Sequence, residues 1–247
     1  YLALRKRDGQ AVAIKMPHDH LLDNEEFAQR FLREGALGST LHHPNIIRIY
    51  EADKLGNQPY IVMEFIDGET LEKKLRRERN LPLHTALEIA RDIALALDYA
   101  RLKGVVHRDL KPDNIMILNR GGLKVMDYGI ARIVGSPGLT ASEAYLGTPT
   151  YSAPEATIGK VDQQSDLYSL GIILYRMIAG DPPFRSTDPL EVLQMHRSMP
   201  LPAFPADLEI PSEVARLVKT LTEKSKTDRY KDAESFLIDL NRVLKHL

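Results

Sequence analysis

The most restrictive feature of this sequence is a pair of short apolar runs that enclose two glycines. The runs flank Asn119-Arg120-Gly121-Gly122 and predict a β-hairpin. If Leu118 pairs with Leu123, the register places Asn114 opposite Asp127, with their Cα atoms about 5 Å apart. An amide oxygen and a carboxylate side by side suit Mg²⁺, which takes few protein ligands and completes its shell with water and phosphate.

The residues before this hairpin carry further polar groups to the same end of it. Asp109 and Lys111 lie in the loop that enters the first strand. An aspartate there can accept the proton of a hydroxyl, and a lysine can neutralise charge on a transferring phosphoryl group. For any one of these residues, a solvated charged loop beside an ordinary hairpin is the simpler interpretation. The complete string at residues 107–114, with the hairpin and Asp127-x-Gly129 behind it, favours a functional site.

Apolar periodicity predicts an α+β fold made of a small β-rich lobe and a larger helical lobe. Strands are predicted at residues 1–4, 11–15, 46–51 and 60–65, and helices at residues 24–41, 84–102, 166–179 and across 212–247. We place the small lobe at residues 1–66 and the large lobe at residues 67–247. A cleft between two lobes is a natural place for a ligand.

Composition excludes several classes of function. The 247 residues include no cysteine, so disulfides, thiolate metal sites and cysteine nucleophiles are excluded. The net charge of −1 provides no general attraction for nucleic acid, and none is expected as a partner. No apolar run approaches the roughly 20 residues that a membrane span needs. We expect a cytoplasmic location, with any membrane tether outside these residues.

The loop and hairpin together resemble the catalytic loop of protein kinases followed by their Mg²⁺-binding Asp-Phe-Gly motif. Val12-Ala13-Ile14-Lys15 matches the family's third strand, and Glu34 lies where the family has the glutamate that pairs with that lysine. The resemblance implies ATP and Mg²⁺ as cofactors and a two-lobed kinase fold. The implied ATP-site residues are Ala13, Lys15, Glu34, Met63, Glu64, Ile66, Asn114, Met116 and Asp127, with Asn114 and Asp127 as metal ligands and Asp109, Lys111 and Lys15 as catalytic residues.

Residues after the hairpin extend the resemblance to the choice of substrate and its control. Residues 147–155 are similar to the family's substrate-docking segment, Asp166 to the aspartate that anchors the catalytic loop, and Arg229 to the arginine that pairs with Glu155. Lys111 followed by proline is typical of serine/threonine kinases, so protein serines and threonines are the implied acceptors. The implied regulatory residues are Arg108, Thr140, Ser142 and Thr148, with dimerisation as a route to autophosphorylation in trans.

Three features depart from the family pattern. Tyr128 replaces the usual phenylalanine, and we expect it to be tolerated if its hydroxyl finds a partner. Gly35 and Gly38 weaken the helix that carries Glu34 and predict that this helix is loosely held. Tyr1 corresponds to the family's second strand, so we expect the first strand and the glycine-rich loop upstream, and weak ATP binding by these residues alone.

Two other functions compete with catalysis. A pseudokinase or signalling scaffold would bind partners without transferring phosphate, but Lys15, Asp109, Asn114 and Asp127 are all present. A small-molecule phosphotransferase of related fold would lack the docking segment. Residues 127–132 and 180–184 are most similar to those of bacterial Hanks-type kinases.

Overall fold

The computed structural model describes residues 1–18, 25–128 and 149–247. The small lobe is a four-stranded antiparallel sheet in the order β1-β2-β4-β3. Its strands are β1 (Leu2–Leu4), β2 (Ala11–Lys15), β3 (Ile49–Leu55) and β4 (Gln58–Glu64), and helix α1 (Glu25–Gly38) packs against β3 and β4. The strands predicted at residues 1–4 and 11–15 pair as an antiparallel hairpin, in which Leu2 pairs with Ala13 and Gly9 takes the left-handed conformation that the turn requires.

Strand β3 begins later than the sequence pattern predicts. Residues 46–48 were predicted to be its first residues, but Ile46 instead forms an isolated parallel bridge with Val125. The amide of Ile47 donates to the carbonyl of Val125, and the amide of Val125 donates to the carbonyl of Asn45. The backbone groups that would extend β3 are thus used to tie the small lobe to the large one.

Helix α1 approaches the sheet closely at its two glycines. A Cβ atom built on Gly35 would lie 2.5 Å from the Cβ of Ala52, and one built on Gly38 would come at least as close to Cδ1 of Ile49. Both distances are far shorter than a carbon–carbon contact permits. The glycines therefore have a packing role against β3, in addition to their low helix propensity; the predicted mobility of the helix stays a prediction.

The substitution Gly35→Ala should destabilise the small lobe by about 1–3 kcal/mol, because the added methyl forces α1 away from the sheet. Urea unfolding of the variant checks this. Removing the opposing methyl in Gly35→Ala/Ala52→Gly should recover part of the loss, and Ala36→Ser on the exposed face of the helix is the matched control. An unchanged unfolding midpoint in Gly35→Ala would contradict the close contact.

The large lobe is mainly helical. Its helices are α2 (Leu71–Glu78), α3 (Leu83–Leu102), α4 (Gln163–Ala179), α5 (Pro189–Ser198), α6 (Ser212–Leu221) and α7 (Ala233–Leu244). A three-stranded sheet, β5 (Gly68–Thr70), β6 (Ile115–Leu118) and β7 (Leu123–Val125), lies between the helices and the small lobe. In the described ranges no helix combines the length and apolar character needed to cross a bilayer.

Helix α4 forms the centre of the large-lobe core. It packs against α3 and α6, and Gly171 lets the backbone of α6 come close, since a Cβ there would lie 2.7 Å from Leu221. The sequence prediction that Asp166 opens this helix was wrong. Asp162 is the N-cap, and it forms a capping box with Ser165, so the helix begins three residues before Asp166. The carboxylate of Asp166 is therefore buried inside the lobe.

The hairpin predicted around Gly121 and Gly122 forms from β6 and β7, but its register differs from the predicted one by one residue. Ile117 pairs with Leu123 and Ile115 with Val125, whereas the prediction paired Leu118 with Leu123. The reason is the turn: the amide of Leu118 donates to the carbonyl of Gly122, and both glycines have positive φ. The turn closes one residue earlier, and Asn114 comes opposite Met126 instead of Asp127.

Candidate active site

The loop that enters β6 is held by a buried carboxylate. Asp166 accepts hydrogen bonds from the backbone N–H groups of His107, at 2.7 Å, and Arg108, at 2.9 Å. Burial raises the pKa of Asp166 to about 7, while these two donors favour its charged form. Arg108 has a φ of +67°, a conformation that a non-glycine residue keeps only where its surroundings enforce it. The predicted anchoring role of Asp166 is confirmed.

His107 joins this loop to the segment after β7. Its ring is fully buried, Nε2 donates to the carbonyl of Met126 at 2.8 Å, and Nδ1 accepts from the amide of Asp109. Burial lowers the pKa of His107, so the ring is the neutral tautomer that both hydrogen bonds require. The ring also packs on Tyr128, with centroids 4.7 Å apart. His107 thereby fixes the spacing between Asp109 and the residues around Asp127.

Asp109, Lys111 and Asn114 form one hydrogen-bonded group. The ammonium of Lys111 lies 2.8 Å from Oδ2 of Asp109. The side-chain nitrogen of Asn114 donates to the backbone carbonyl of Asp109 at 2.8 Å and to its Oδ2 at 3.3 Å. These donors fix the orientation of the Asn114 amide and leave its oxygen as the atom suited to bind a cation.

Asp127 and Lys15 bring the two lobes together at the same place. Nζ of Lys15, on β2, lies 2.7 Å from Oδ1 of Asp127. Asp127 has a φ of +52°, so the chain leaves the extended conformation of β7 at this residue. Two of the four non-glycine residues with positive φ in the described ranges are Arg108 and Asp127. Backbone strain is therefore concentrated at this site, as it often is at functional sites.

Glu34 lies close enough to Lys15, Asp127 and Asp109 for their charges to shift its pKa. Burial raises the pKa of Glu34 from 4.5 to about 7, the charge of Lys15 lowers it, and Asp127 and Asp109 add to the increase. Within the described ranges, Lys15 makes its salt bridge with Asp127, and its charge acts on Glu34 through space. A direct Lys15–Glu34 pair, as the family resemblance implies, stays a prediction.

The raised pKa of Glu34 predicts a pH-dependent stability. Between pH 4.5 and 7 the folded protein keeps this proton and the unfolded chain loses it, so stability falls as pH rises through that window. Glu34→Gln should therefore lessen the decline by about 2–3 kcal/mol. Urea midpoints measured from pH 4.5 to 8 check this, with Glu234→Gln, an exposed glutamate on α7, as the control. Identical slopes in Glu34→Gln and the unmodified protein would contradict it.

Ala13, Met63 and Met116, which are among the predicted ATP-site residues, lie on β2, β4 and β6. Ala13 pairs with Met63 across β2 and β4, and both pack in the small-lobe core with Ile66. Met116 is half-buried in β6. Glu64 forms a salt bridge with Lys124 of β7 at 2.7 Å, so its carboxylate connects the lobes. Glu64, also a predicted ATP-site residue, is thus at a junction of the two sheets.

The end of the predicted docking segment is fixed by a buried ion pair. Arg229 donates to both oxygens of Glu155, at 2.7 and 2.8 Å, and Ser165 donates to the same carboxylate at 2.6 Å. The predicted pairing of these two residues is confirmed. The predicted regulatory residues Thr140, Ser142 and Thr148 lie outside the described residues, and the side chain of Arg108 is exposed.

Tyr128 has a partner for its hydroxyl. The residue is only 4% exposed, and its hydroxyl donates to the carbonyl of Ala96 in α3 at 3.4 Å. This contact is long for a hydrogen bond, so it contributes little stability, but it avoids an unpaired buried hydroxyl. The tyrosine therefore fits where the family pattern has phenylalanine.

The oxygen atoms near the cleft fit a magnesium ion better than a metal that needs many protein ligands. No cluster of three or more His, Asp or Glu side chains that could enclose a metal exists among residues 1–18, 25–128 and 149–247. Asp127 and Asn114 offer one carboxylate and one amide oxygen, which is the sparse set that Mg²⁺ accepts when water and phosphate complete its coordination. The residues present therefore fit this ion.

Comparisons with known proteins agree with this geometry. The protein kinase domain family matches residues 1–240, and the chain belongs to this family. A probable serine/threonine-protein kinase of Streptomyces coelicolor is 38% identical over 99% of this chain, and the serine/threonine-protein kinase PknB of Mycobacterium leprae is 37% identical over 98% of it. The matches cover 37% and 40% of those relatives, so the chain spans about two fifths of their length.

A solved structure shows the same two-lobed kinase fold. The kinase domain of Mycobacterium tuberculosis PknI, crystallised as a point mutant, superposes with a TM-score of 0.73 over 98% of this chain and 88% of that one, at 25% identity. The predicted resemblance to bacterial serine/threonine kinases is therefore confirmed, as is the predicted fold class.

Sequence analysis missed several residues that position the site. His107 was recognised only as part of a motif, and its contacts with Met126 and Asp109 were not predicted. A histidine directly after Val105-Val106 was a signal of burial. Asn45 gave no comparable signal. Its carbonyl accepts a hydrogen bond from the amide of Val125, which is 80 residues away along the chain.

Proposed function

We propose that the protein containing this chain is a serine/threonine kinase that transfers the γ-phosphoryl group of ATP to hydroxyl groups of protein substrates. One observation carries the proposal: Asp109, Lys111 and Asn114 form a single hydrogen-bonded group, beside which Lys15 of the other lobe reaches Asp127. Phosphoryl transfer requires mainly that the protein position the reactants and neutralise charge, and these side chains can do both.

Each side chain has a distinct role in this proposal. Asp109 orients the acceptor hydroxyl and receives its proton, and Lys111 offsets the negative charge that builds up on the moving phosphoryl group. Lys15 binds the α- and β-phosphates from the small lobe. Asn114 and Asp127 would hold Mg²⁺, which supplies charge neutralisation at the phosphate oxygens when bound. Ala13, Met63, Ile66 and Met116 would contact the adenine, with Glu64 at the hinge.

Control by phosphorylation is part of the same proposal. Arg108 is exposed and directly precedes Asp109, so a phosphate on Thr140 or Ser142 could pair with its guanidinium and order the loop around the site. Autophosphorylation in trans would require two copies to meet. A cytoplasmic location for this domain stays a prediction.

The competing function is a scaffold that binds nucleotide or partners without chemistry. Incubating the full-length protein with [γ-³²P]ATP, Mg²⁺ and a generic protein substrate separates the two. Time-dependent labelling of the substrate, abolished by EDTA, is the expected result. Binding of a fluorescent ATP analogue without any labelling would favour the scaffold.

A further inference from the structure

A second groove opens beside the proposed catalytic loop. It has a volume of about 360 Å³, within the range of pockets that hold small ligands or side chains. Lys111 lines one side, and Tyr151 from the docking segment lines another. The ammonium of Lys111 also lies 2.8 Å from Oδ2 of Asp109, so a peptide whose acceptor hydroxyl reaches Asp109 brings a neighbouring residue close to this groove. Its chemistry therefore bears on which substrates fit.

The most buried acid in the wall of this groove, Glu72, is already paired with two arginines. Glu72, on α2, accepts from Nη1 and Nη2 of Arg176 at 2.5 and 3.2 Å, and from Nε of Arg76 at 2.8 Å. Burial alone would raise the pKa of Glu72, but the hydrogen bonds from the two arginines outweigh it and lower the pKa. A carboxylate with two guanidinium partners has little capacity left to bind a lysine or arginine of a substrate.

Arg176 is committed to this arrangement from inside the protein. Its side chain is only 12% exposed, and its Nη1 also donates to the hydroxyl of Tyr151. Its Nε is buried and has no hydrogen-bond partner within the described ranges. Arg176 is therefore held from inside the lobe, and what it presents to the groove is its pairing with Glu72 and Tyr151.

The rim of the groove adds two exposed guanidinium groups. The side chain of Arg76 is 77% exposed and that of Arg185 is 53% exposed. Arg185 pairs with Asp181, and Asp113 is an exposed acid on the side of the catalytic loop. Among the described lining residues four side chains are cationic and three are anionic, and the most buried acid is the one that two arginines hold.

We propose that this groove is a substrate subsite that selects an acidic side chain near the acceptor serine or threonine and disfavours a basic one. Arg176 determines this specificity by holding Glu72, and Arg76 and Arg185 supply donors for the incoming carboxylate. A carboxylate bound by exposed arginines gains a modest free energy, so we expect a roughly fivefold lower KM for acidic peptides than for neutral ones. The inference rests on the proposed kinase function.

The test measures peptide kinetics with the full-length protein. Synthetic peptides carry a single threonine, and each flanking position is varied in turn among Glu, Gln and Lys. The expected result is that Glu lowers KM at one or more positions on the same side of the threonine, that Lys raises KM there, and that kcat changes little. Arg76→Gln and Arg185→Gln, both at the exposed rim, should reduce the ratio of KM values between Gln and Glu peptides. Arg242→Gln, an exposed arginine on α7, should leave that ratio unchanged.

A reversal of preference is the sharpest outcome. Arg76→Gln/Arg176→Gln removes both partners of Glu72, so Lys peptides should become better substrates than Glu peptides. If this double variant does not fold, the rim variants decide the question on their own. Equal KM values for Glu, Gln and Lys peptides, or a lower KM for Lys peptides with the unmodified protein, would overturn the subsite alone. No transfer to any peptide would overturn the proposed function and the subsite with it.

Discussion

Replacing Asp109 with asparagine should lower kcat by a factor of about 10²–10⁴ while leaving the KM for ATP nearly unchanged. The amide keeps the size of the side chain and can still meet the donors of Lys111 and Asn114, but it cannot receive the proton of an acceptor hydroxyl. The measurement is the steady-state rate of phosphate transfer from ATP to a protein substrate as a function of the concentration of each substrate.

The control for this variant is Asp207→Asn, an exposed aspartate in the large lobe, which should keep full activity. The urea midpoint of Asp109→Asn should stay close to that of the unmodified protein, so that lost activity cannot be attributed to unfolding. A kcat within tenfold of the unmodified value would contradict the role of Asp109 as the proton acceptor.

The largest expected effect on stability comes from Arg229. Its side chain is fully buried, it binds both oxygens of Glu155, and it donates to the carbonyls of Glu223, Lys224 and Gln164. Arg229→Met would leave the Glu155 carboxylate buried with no guanidinium partner, and breaking such a pair costs about 3–5 kcal/mol. Urea unfolding gives the loss as a lower midpoint.

A double-variant cycle separates the ion pair from the rest of the packing. Arg229→Met/Glu155→Gln should be less destabilised than the sum of the two single variants, because the second change removes the unpaired charge. Arg242→Met, at an exposed pair on α7, should change stability by no more than about 0.5 kcal/mol. Additive losses in the cycle would show that Glu155 and Arg229 do not stabilise each other.

Local sequence patterns predicted the hairpin and its entering loop, where the partners are near in the chain or belong to strong motifs. The pairing of residues around the catalytic hairpin follows from two apolar runs and a glycine turn, and the string that contains Asp109 and Asn114 identified the loop. The register was wrong by one residue because the closing hydrogen bond joins Leu118 to Gly122, and a choice between turns of three and four residues is not visible in apolar spacing.

Elements with few buried positions were harder to predict. Helix α2 has only two buried apolar residues, Leu71 and Leu75, which are too few to establish a helical spacing from sequence. Helix α5 was missed although Asp188 caps it and Pro189 begins it. Strand β3 was placed too early because the segment after α1 gives its backbone hydrogen bonds to β7 instead. At the start of β3, tertiary hydrogen bonds therefore override the local strand propensity.

Long-range ion pairs could be predicted from the sequence only where a motif identified both residues. Glu155 and Arg229 were paired by resemblance, whereas Glu72 and Arg176, which are 104 residues apart, were not. An arginine in the mainly apolar second half of helix α4 was the one available signal, since a buried arginine requires an acid. The groove that this pair lines could not have been inferred without the structure.

We propose that the group around Asp109 and Asp127 transfers phosphate to serine and threonine hydroxyls of proteins. Its most direct test is phosphoamino-acid analysis of a protein substrate labelled by the full-length protein with [γ-³²P]ATP and Mg²⁺, run in parallel with Asp127→Asn. We expect label on phosphoserine and phosphothreonine with the unmodified protein, and almost none with Asp127→Asn. Label on phosphotyrosine alone, or equal labelling by Asp127→Asn, would contradict it.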